Sequence, residues 1–529
     1  MCCQAIDPTP GNGPGAPPPS GPSSGRNDER NAVKRLSHRS LAAGAAAAVV
    51  LLGLSACGSS AEDSSTSSSA AAGAGTTSAG GGFDVTTSPS SSGSAGSSSA
   101  TAPAGGGLTR NPETDGKTIN VLMVANPQMT DLQSLTAEHF TAETGITVNY
   151  TVLPENDMRA KADIEFKNQA GQYDVATLSN FEIPIWSQNG WLADLTEYSA
   201  ADTSFNQADI FPAFTQSLST DGKIYGEPFY GESSFLMYRT DVFEKAGVTL
   251  PDNPTWDEVA AAAEKVDGVE PGMKGICLRG LPGWGQLGGP LTTVINTFGG
   301  AWFDADWNAL LDDPKTVEAV QFYTDLVKEH GEVSPSQAGF TECLNNFVQG
   351  KVAMWYDATS AAGSVESADS PVKGKVGYVQ APVKETKASG WLYTWAWAIQ
   401  EAAKEKDAAW QFVSWASSQQ YEELVGEELG WPRVPSGKRA STYSNPDYIA
   451  EAGAFSEPTL TALQSVDPAN PGVQPRPTIG IQFVGIPEFT SLGDEVTASL
   501  SQVLAGSGTV EDALAAAQEA AQKVGDEYK

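Results

Sequence analysis

Apolar positions past residue 116 recur with two alternating periods. Residues 117–125 (KTINVLMVA), 146–153 (ITVNYTVL) and 173–178 (YDVATL) are short apolar runs of strand length and predict buried strands. Between the first two, Leu132, Leu135 and Phe140 fall at helical spacing over 131–144, and Gly145 stops the run; 157–169 reads as a second helix. This strand–helix alternation predicts an α/β fold with an open, mainly parallel sheet. In such sheets ligands collect beyond the carboxyl ends of the strands. Those ends are Asn126, Glu155 with Asn156, and Asn180 through Glu182. Further on, 226–238 is punctuated by Gly and Pro and then turns apolar, as a crossing between two lobes would. Helices are predicted at 255–266, opened by the capping pair Thr255 and Glu258, at 314–330, at 407–417 and at 510–524.

The amino-terminal part follows neither period. Lys34, Arg35, His38 and Arg39 precede an apolar stretch over 41–52, too short to span a bilayer and suited to a signal peptide. It ends in Leu54-Ser55-Ala56-Cys57, which resembles the lipobox of bacterial lipoproteins. Residues 1–56 are therefore expected to be a leader with an over-long start, and Cys57 the lipidated first residue after cleavage. From 58 to about 113 the chain is Ser, Gly, Ala and Thr with almost no apolar residues, so it cannot offset its ordering entropy. As a flexible coil it reaches roughly 40 Å, a tether between membrane and folded body. No segment elsewhere approaches the ~18 apolar residues of a transmembrane helix.

Charge narrows the classes. The chain of 529 residues has 31 Lys+Arg against 64 Asp+Glu, a net charge of −33. That disfavours nucleic acid, which needs clustered cations, and leaves the lipid as the membrane's hold on the chain. Three histidines offer little for a His-based zinc site or a Ser-His-Asp hydrolase, so no metal and no cofactor are expected. Gly283-Trp-Gly285-Gln-Leu-Gly288 matches a dinucleotide fingerprint, yet Trp284 and Pro282 suit a pyrophosphate poorly.

Beyond the lipobox, three stretches carry a family resemblance: Gly222-Lys-Ile-Tyr-Gly-Glu-Pro228 with Tyr238-Arg-Thr-Asp241, Gly299-Gly-Ala-Trp-Phe-Asp304, and Phe347-Val-Gln-Gly-Lys-Val-Ala-Met354. Over about 117–529 the chain resembles the family 1 extracellular solute-binding proteins of ABC sugar importers. Arg279-Gly-Leu-Pro-Gly-Trp284-Gly, 354–359 (MWYDAT) and the segment from Arg476 to Phe489 are similar to the sorbitol/mannitol-binding branch. The resemblance implies a type II, maltose-binding-protein-like fold. Its two lobes would be 116–230 with 388–445, and 231–387 with 446–529, with residues 57–115 as the lipidated tether. It also implies a ligand cleft between the lobes, a permease with its ATPase as partners, and a lipid-anchored location outside the cytoplasmic membrane. A monomer is expected.

A sugar or polyol needs ionised side chains for its hydroxyls and flat aromatics for its carbons. Candidate ligand contacts are Asn126, Glu155, Asn180, Glu182, Tyr230, Glu232 in the crossing, Arg279, Trp284, Trp302, Trp355, Asp357, Trp391, Trp395, Arg433, Arg476 and Gln482. Glu232→Gln, Arg279→Ala and Asp357→Ala are expected to stay folded, since a cleft lining contributes little to either core. A secreted glycoside hydrolase is the rival reading, with two carboxylates about 5–10 Å apart drawn from Glu232, Asp304 and Asp357. A carbohydrate-active or adhesive surface lipoprotein is the third. Cys277 and Cys343, the two cysteines left in the folded part, are expected to pair in an exported chain.

Overall fold

A computed structural model describes residues 108–529. The expected signal peptide, lipobox Cys57 and most of the tether lie outside the described residues. The described residues form eleven strands: β1 (Thr118–Val124), β2 (Thr147–Leu153), β3 (Val175–Ser179), β4 (Ser219–Thr220), β5 (Lys223–Ile224), β6 (Glu227–Glu232), β7 (Ser234–Arg239), β8 (Lys274–Cys277), β9 (Val352–Ala358), β10 (Val376–Gln380) and β11 (Tyr393–Ile399). One sheet has the order β2-β1-β3-β11-β6 and a second β10-β7-β9-β8, while β4 and β5 form a small ribbon.

Both sheets are mixed rather than mainly parallel. β1 runs parallel to β2 and β3, but β11 is antiparallel to both its neighbours. In the second sheet only β8 and β9 are parallel. The reversed strands are those next to the crossings between sheets, where the chain re-enters a sheet from its far end. A parallel partner would need a long crossover instead.

Helices cover the faces of each sheet. Pro127–Leu135, Glu155–Lys167 and Lys406–Ala416 accompany the first; Trp256–Val266, Pro314–His330, Phe340–Val348 and Pro446–Gln464 accompany the second. Every residue of β3, β9 and β11 is buried, which explains why their sequences read as continuous apolar runs. The capping box predicted at Thr255 and Glu258 is present, and His330 ends its helix. Among the described residues no helix is long and apolar enough to cross a membrane.

The junction between the sheets is a single residue, Ser233, between β6 and β7. Gly437, on a later crossing, lies against Gly231 of β6 at φ +92°, and a Cβ there would sit 1.9 Å from the Gly231 carbonyl oxygen. Only glycine allows that approach of two backbones. The bond Gly231 N–H to Ser436 O, 3.1 Å, then ties the two crossings together.

Cys277, the last residue of β8, is disulfide-bonded to Cys343 in the helix Phe340–Val348, with the Cα atoms 5.6 Å apart. The pairing expected from composition is therefore formed. It fixes that helix to the strand whose extension carries Arg279.

Candidate functional site

A cavity of about 320 Å³ lies where the carboxyl ends of the two sheets face each other. This is near the lower end of small-molecule sites, which run to about 1,000 Å³. From the first lobe, Asn126 just past β1 enters it, the helix Glu155–Lys167 gives Glu155 and Arg159, β6 gives Tyr230 and Glu232, β11 gives Tyr393 and Trp395, and the approach to β11 gives Trp391. Tyr230 and Glu232 share a face because they are two apart on a strand. From the second lobe come Arg279, Gln286, Phe340, Ser360, Gln482 and Phe483.

The strand register explains the polar centre. β8 and β9 are parallel with Cys277 opposite Trp355, so two residues later Arg279 stands opposite Asp357. The guanidinium grips that carboxylate with two bonds, Nε to Oδ2 at 2.8 Å and Nη2 to Oδ1 at 2.5 Å, and Nη1 reaches Gly285 O. Asp357 also accepts from Trp355 Nε1 and has no exposure. Arg279 reaches the cavity; Asp357 and Trp355 stand behind it. Trp355 packs on Phe340 instead of lining the site.

Arg159 makes a second cationic centre, which the sequence reading missed. It donates to Glu155 at 3.0 Å, to Glu182 at 2.8 Å and to the Tyr393 hydroxyl at 2.5 Å. Its guanidinium carbon lies 4.2 Å from the Trp284 ring centre and 4.6 Å from that of Trp395. Trp284 belongs to the second lobe and Trp395 to the first, so the cation is stacked between them. The signal available in the sequence was the i,i+4 pair Glu155 and Arg159 on one helix face.

Further contacts bridge the lobes. Gln286 donates to Glu155 Oε2 at 2.8 Å, Asn156 to Pro282 O at 2.9 Å and Gln128 to Ser360 O at 3.0 Å. Phe181 packs on Trp284, Phe483 and Phe489. The arrangement is a closed one. It also settles the glycine-rich loop: a Cβ on Gly285 would sit 2.6 Å from a Glu155 oxygen, a place hostile to a pyrophosphate.

Of the sixteen candidates, Asn126, Glu155, Tyr230, Glu232, Arg279, Trp391, Trp395 and Gln482 line the cavity, and eight do not. Asn126 also caps the helix Pro127–Leu135 and donates to the Tyr230 hydroxyl. Asn180 bonds Leu392 and Thr394, bracing β11. Glu182 holds Arg159 and the Ser179 hydroxyl. Trp302 is in the second lobe's core against Phe489, its N–H on Thr292. Arg433 pairs with Asp131, and Arg476 binds Gly480 O and Asn296, bracing the loop that carries Gln482. Trp284, Trp355 and Asp357 act through the two arginines.

Cys277, Cys343 and Glu332 are the one cluster among the described residues with metal-ligand spacing, but its sulfurs are bonded to each other.

Three glutamates are driven upward by burial: Glu227 and Glu232 to about 8 and Glu332 to about 7, against an ordinary 4.5. For Glu232 the neighbouring Asp357 and Glu155 push the same way, against the Ser360 hydrogen bond and Arg279. Between about pH 4.5 and 8 the folded chain thus holds protons that the unfolded chain has lost, and stability falls as pH rises. Lys438, lowered by burial to about 8, contributes the opposite slope only above that pH. The melting temperature is expected to fall steadily from pH 5 to about 8; a rise across that window contradicts the burial of these groups as neutral acids.

The model of the family described as bacterial extracellular solute-binding protein matches residues 126–423. The chain is 37% identical over 405 residues to a mannitol-binding protein of Pseudomonas aeruginosa, covering 76% of this chain and 92% of that protein. Among solved structures it resembles an ABC transporter solute-binding protein of Agrobacterium vitis with bound D-mannitol. That match has a TM-score of 0.76 and 41% identity, over 78% of this chain and 99% of the other. A ribitol complex of a solute-binding protein of Agrobacterium radiobacter matches with a TM-score of 0.68 and 26% identity, over 78% and 99%.

Proposed function

The chain belongs to the bacterial extracellular solute-binding protein family, and we propose that it captures an alditol such as D-mannitol between its lobes and delivers it to an ABC permease. One observation carries this reading: the enclosed cavity of about 320 Å³ pairs hydroxyl-binding groups with flat aromatic walls. Glu232, Arg279, Asn126 and Gln482 hydrogen-bond the hydroxyls, while Trp391 and Trp395 cover the carbons. The mannitol-binding relative and the mannitol-bound neighbour support the alditol over a larger saccharide. Of the three carboxylates considered for a glycosidase, Glu232, Asp304 and Asp357, only Glu232 lines the cavity, and the Glu155 near it is taken up by Arg159 and Gln286. Asp357 is locked on Arg279, and Asp304 holds its own turn through Asp306 N–H and Asn308.

A thermal-shift screen against alditols, monosaccharides and disaccharides tests the reading. At 100 times its Kd the cognate ligand adds about 2.7 kcal/mol of stability. No shift with any alditol contradicts it, and turnover of a nitrophenyl glycoside would favour the hydrolase instead.

The exported chain is anchored through lipid on Cys57, with the Ser/Gly segment as its tether to the membrane. Cys57→Ser is expected to release a folded, ligand-competent protein from the membrane fraction; retention of that variant there would defeat the anchor.

A further inference from the structure

The cavity is unequal in charge. Two cations line it, Arg159 and Arg279, against four carboxylates, Glu155, Asp157, Glu232 and Glu342; no lysine or histidine does. Both cations are already engaged: Arg279 by Asp357 through two bonds, Arg159 by Glu155 and Glu182. Asp157 and Glu342 are exposed at the rim, and Glu342 accepts from Gly339 N–H. Glu232 is different. It is 6% exposed, lines the wall and accepts one hydrogen bond, from Ser360 Oγ at 2.5 Å on Oε2. Among the described residues it forms no ion pair, because the nearby Arg279 is spent on Asp357. A buried carboxylate without a cation is costly, and a charge-assisted bond to it is among the strongest a ligand makes.

We propose that Glu232 makes the site a charge filter, binding amino-alditols (an alditol with a terminal ammonium in place of a hydroxyl) above neutral alditols and rejecting acidic ones. This rests on the alditol reading above. A ligand ammonium placed at the cavity face of Glu232 supplies the cation that the fold omits. A ligand carboxylate or phosphate finds both arginines already paired with carboxylates and meets Glu155 as a like charge. The net charge of −33 acts in the same direction at long range. Taking up the ammonium moves the proton that burial holds on Glu232 out to buffer. The groups facing Glu232 are Arg279, Asp357, Glu155, Tyr230 and Ser360. Of these, the arginine and acids are tied in the pairs already described, leaving Glu232 as the group that titrates on binding.

Titration calorimetry with D-mannitol, 1-amino-1-deoxy-D-mannitol and D-mannonate, three ligands on one carbon chain, tests the filter at pH 7. The amino compound is expected to bind roughly tenfold tighter than mannitol, and mannonate at least about a hundredfold weaker, the scale of one charge-assisted bond gained or one like charge met. Repeating the titrations in buffers of different ionisation enthalpy should show proton release with the amino compound and none with mannitol. In Glu232→Gln the preference for the amino compound and its proton release should both vanish. If mannitol binds but the amino compound binds no tighter, or the preference survives in Glu232→Gln, the filter is wrong while the alditol reading stands. If none of the three binds, the alditol reading falls and the filter with it.

Discussion

Asp357→Ala is expected to destabilise the second lobe by about 3–5 kcal/mol, the cost of leaving one half of a buried ion pair alone. Asp357 has no exposure and Arg279 only 7%. Without the carboxylate, the guanidinium keeps one side-chain bond, to Gly285 O, and Trp355 Nε1 loses its acceptor. A domain of this kind has ~5–15 kcal/mol in total, so the variant is close to unfolding. The sequence reading expected it to stay folded as a cleft lining. Its full burial in β9, opposite Phe235 of β7, overturns that expectation. Asp357→Asn should be milder, since it still accepts from Trp355. Denaturant melts of the three proteins decide the matter; a loss below about 0.5 kcal/mol for the alanine variant, the range of an ordinary surface change, contradicts it.

Arg159→Ala is expected to weaken binding of the cognate alditol by about two decades or more, near 2.7 kcal/mol, and to cost about 3–5 kcal/mol in stability. The side chain joins three partners on the first lobe, Glu155, Glu182 and Tyr393, and is capped by Trp284 from the second. Removing it unpairs Glu155 and empties the space between Trp284 and Trp395, so the closed form loses a contact that the open form lacks. Closure is a two-state equilibrium, and ligand affinity falls with the closed population. Arg159→Lys should rescue little, because an ammonium neither stacks between two rings nor forks to two carboxylates. Affinity in the alanine variant within threefold of wild type contradicts this role.

The strands near the amino end were legible because the buried ones are continuous apolar runs, and the first helix because Asn126 caps it. The runs over 117–125 and 173–178 are examples. Strand direction past Ser233 was not legible: apolar periodicity is the same in either direction, and reversal depends on where the crossings enter. Half of the candidates line the cavity, and Asn126, Glu155 and Glu232 among them do so from positions at or just past strand ends. The aromatic candidates divided by depth, which local sequence does not encode. Trp391 and Trp395 line the cavity, whereas Trp302 and Trp355 are core residues whose N–H groups are satisfied internally. Arg159 showed in the sequence only as the i,i+4 partner of Glu155, because its other partners, Glu182, Tyr393 and Trp284, are distant along the chain.

Crystallising the chain with D-mannitol tests the central claim most directly. The alditol is expected in the interlobe cavity with hydroxyls on Glu232 and Arg279 and its carbons against Trp391 and Trp395, one molecule per chain. Mannitol bound elsewhere, or a saturated crystal with that cavity filled by water alone, contradicts it.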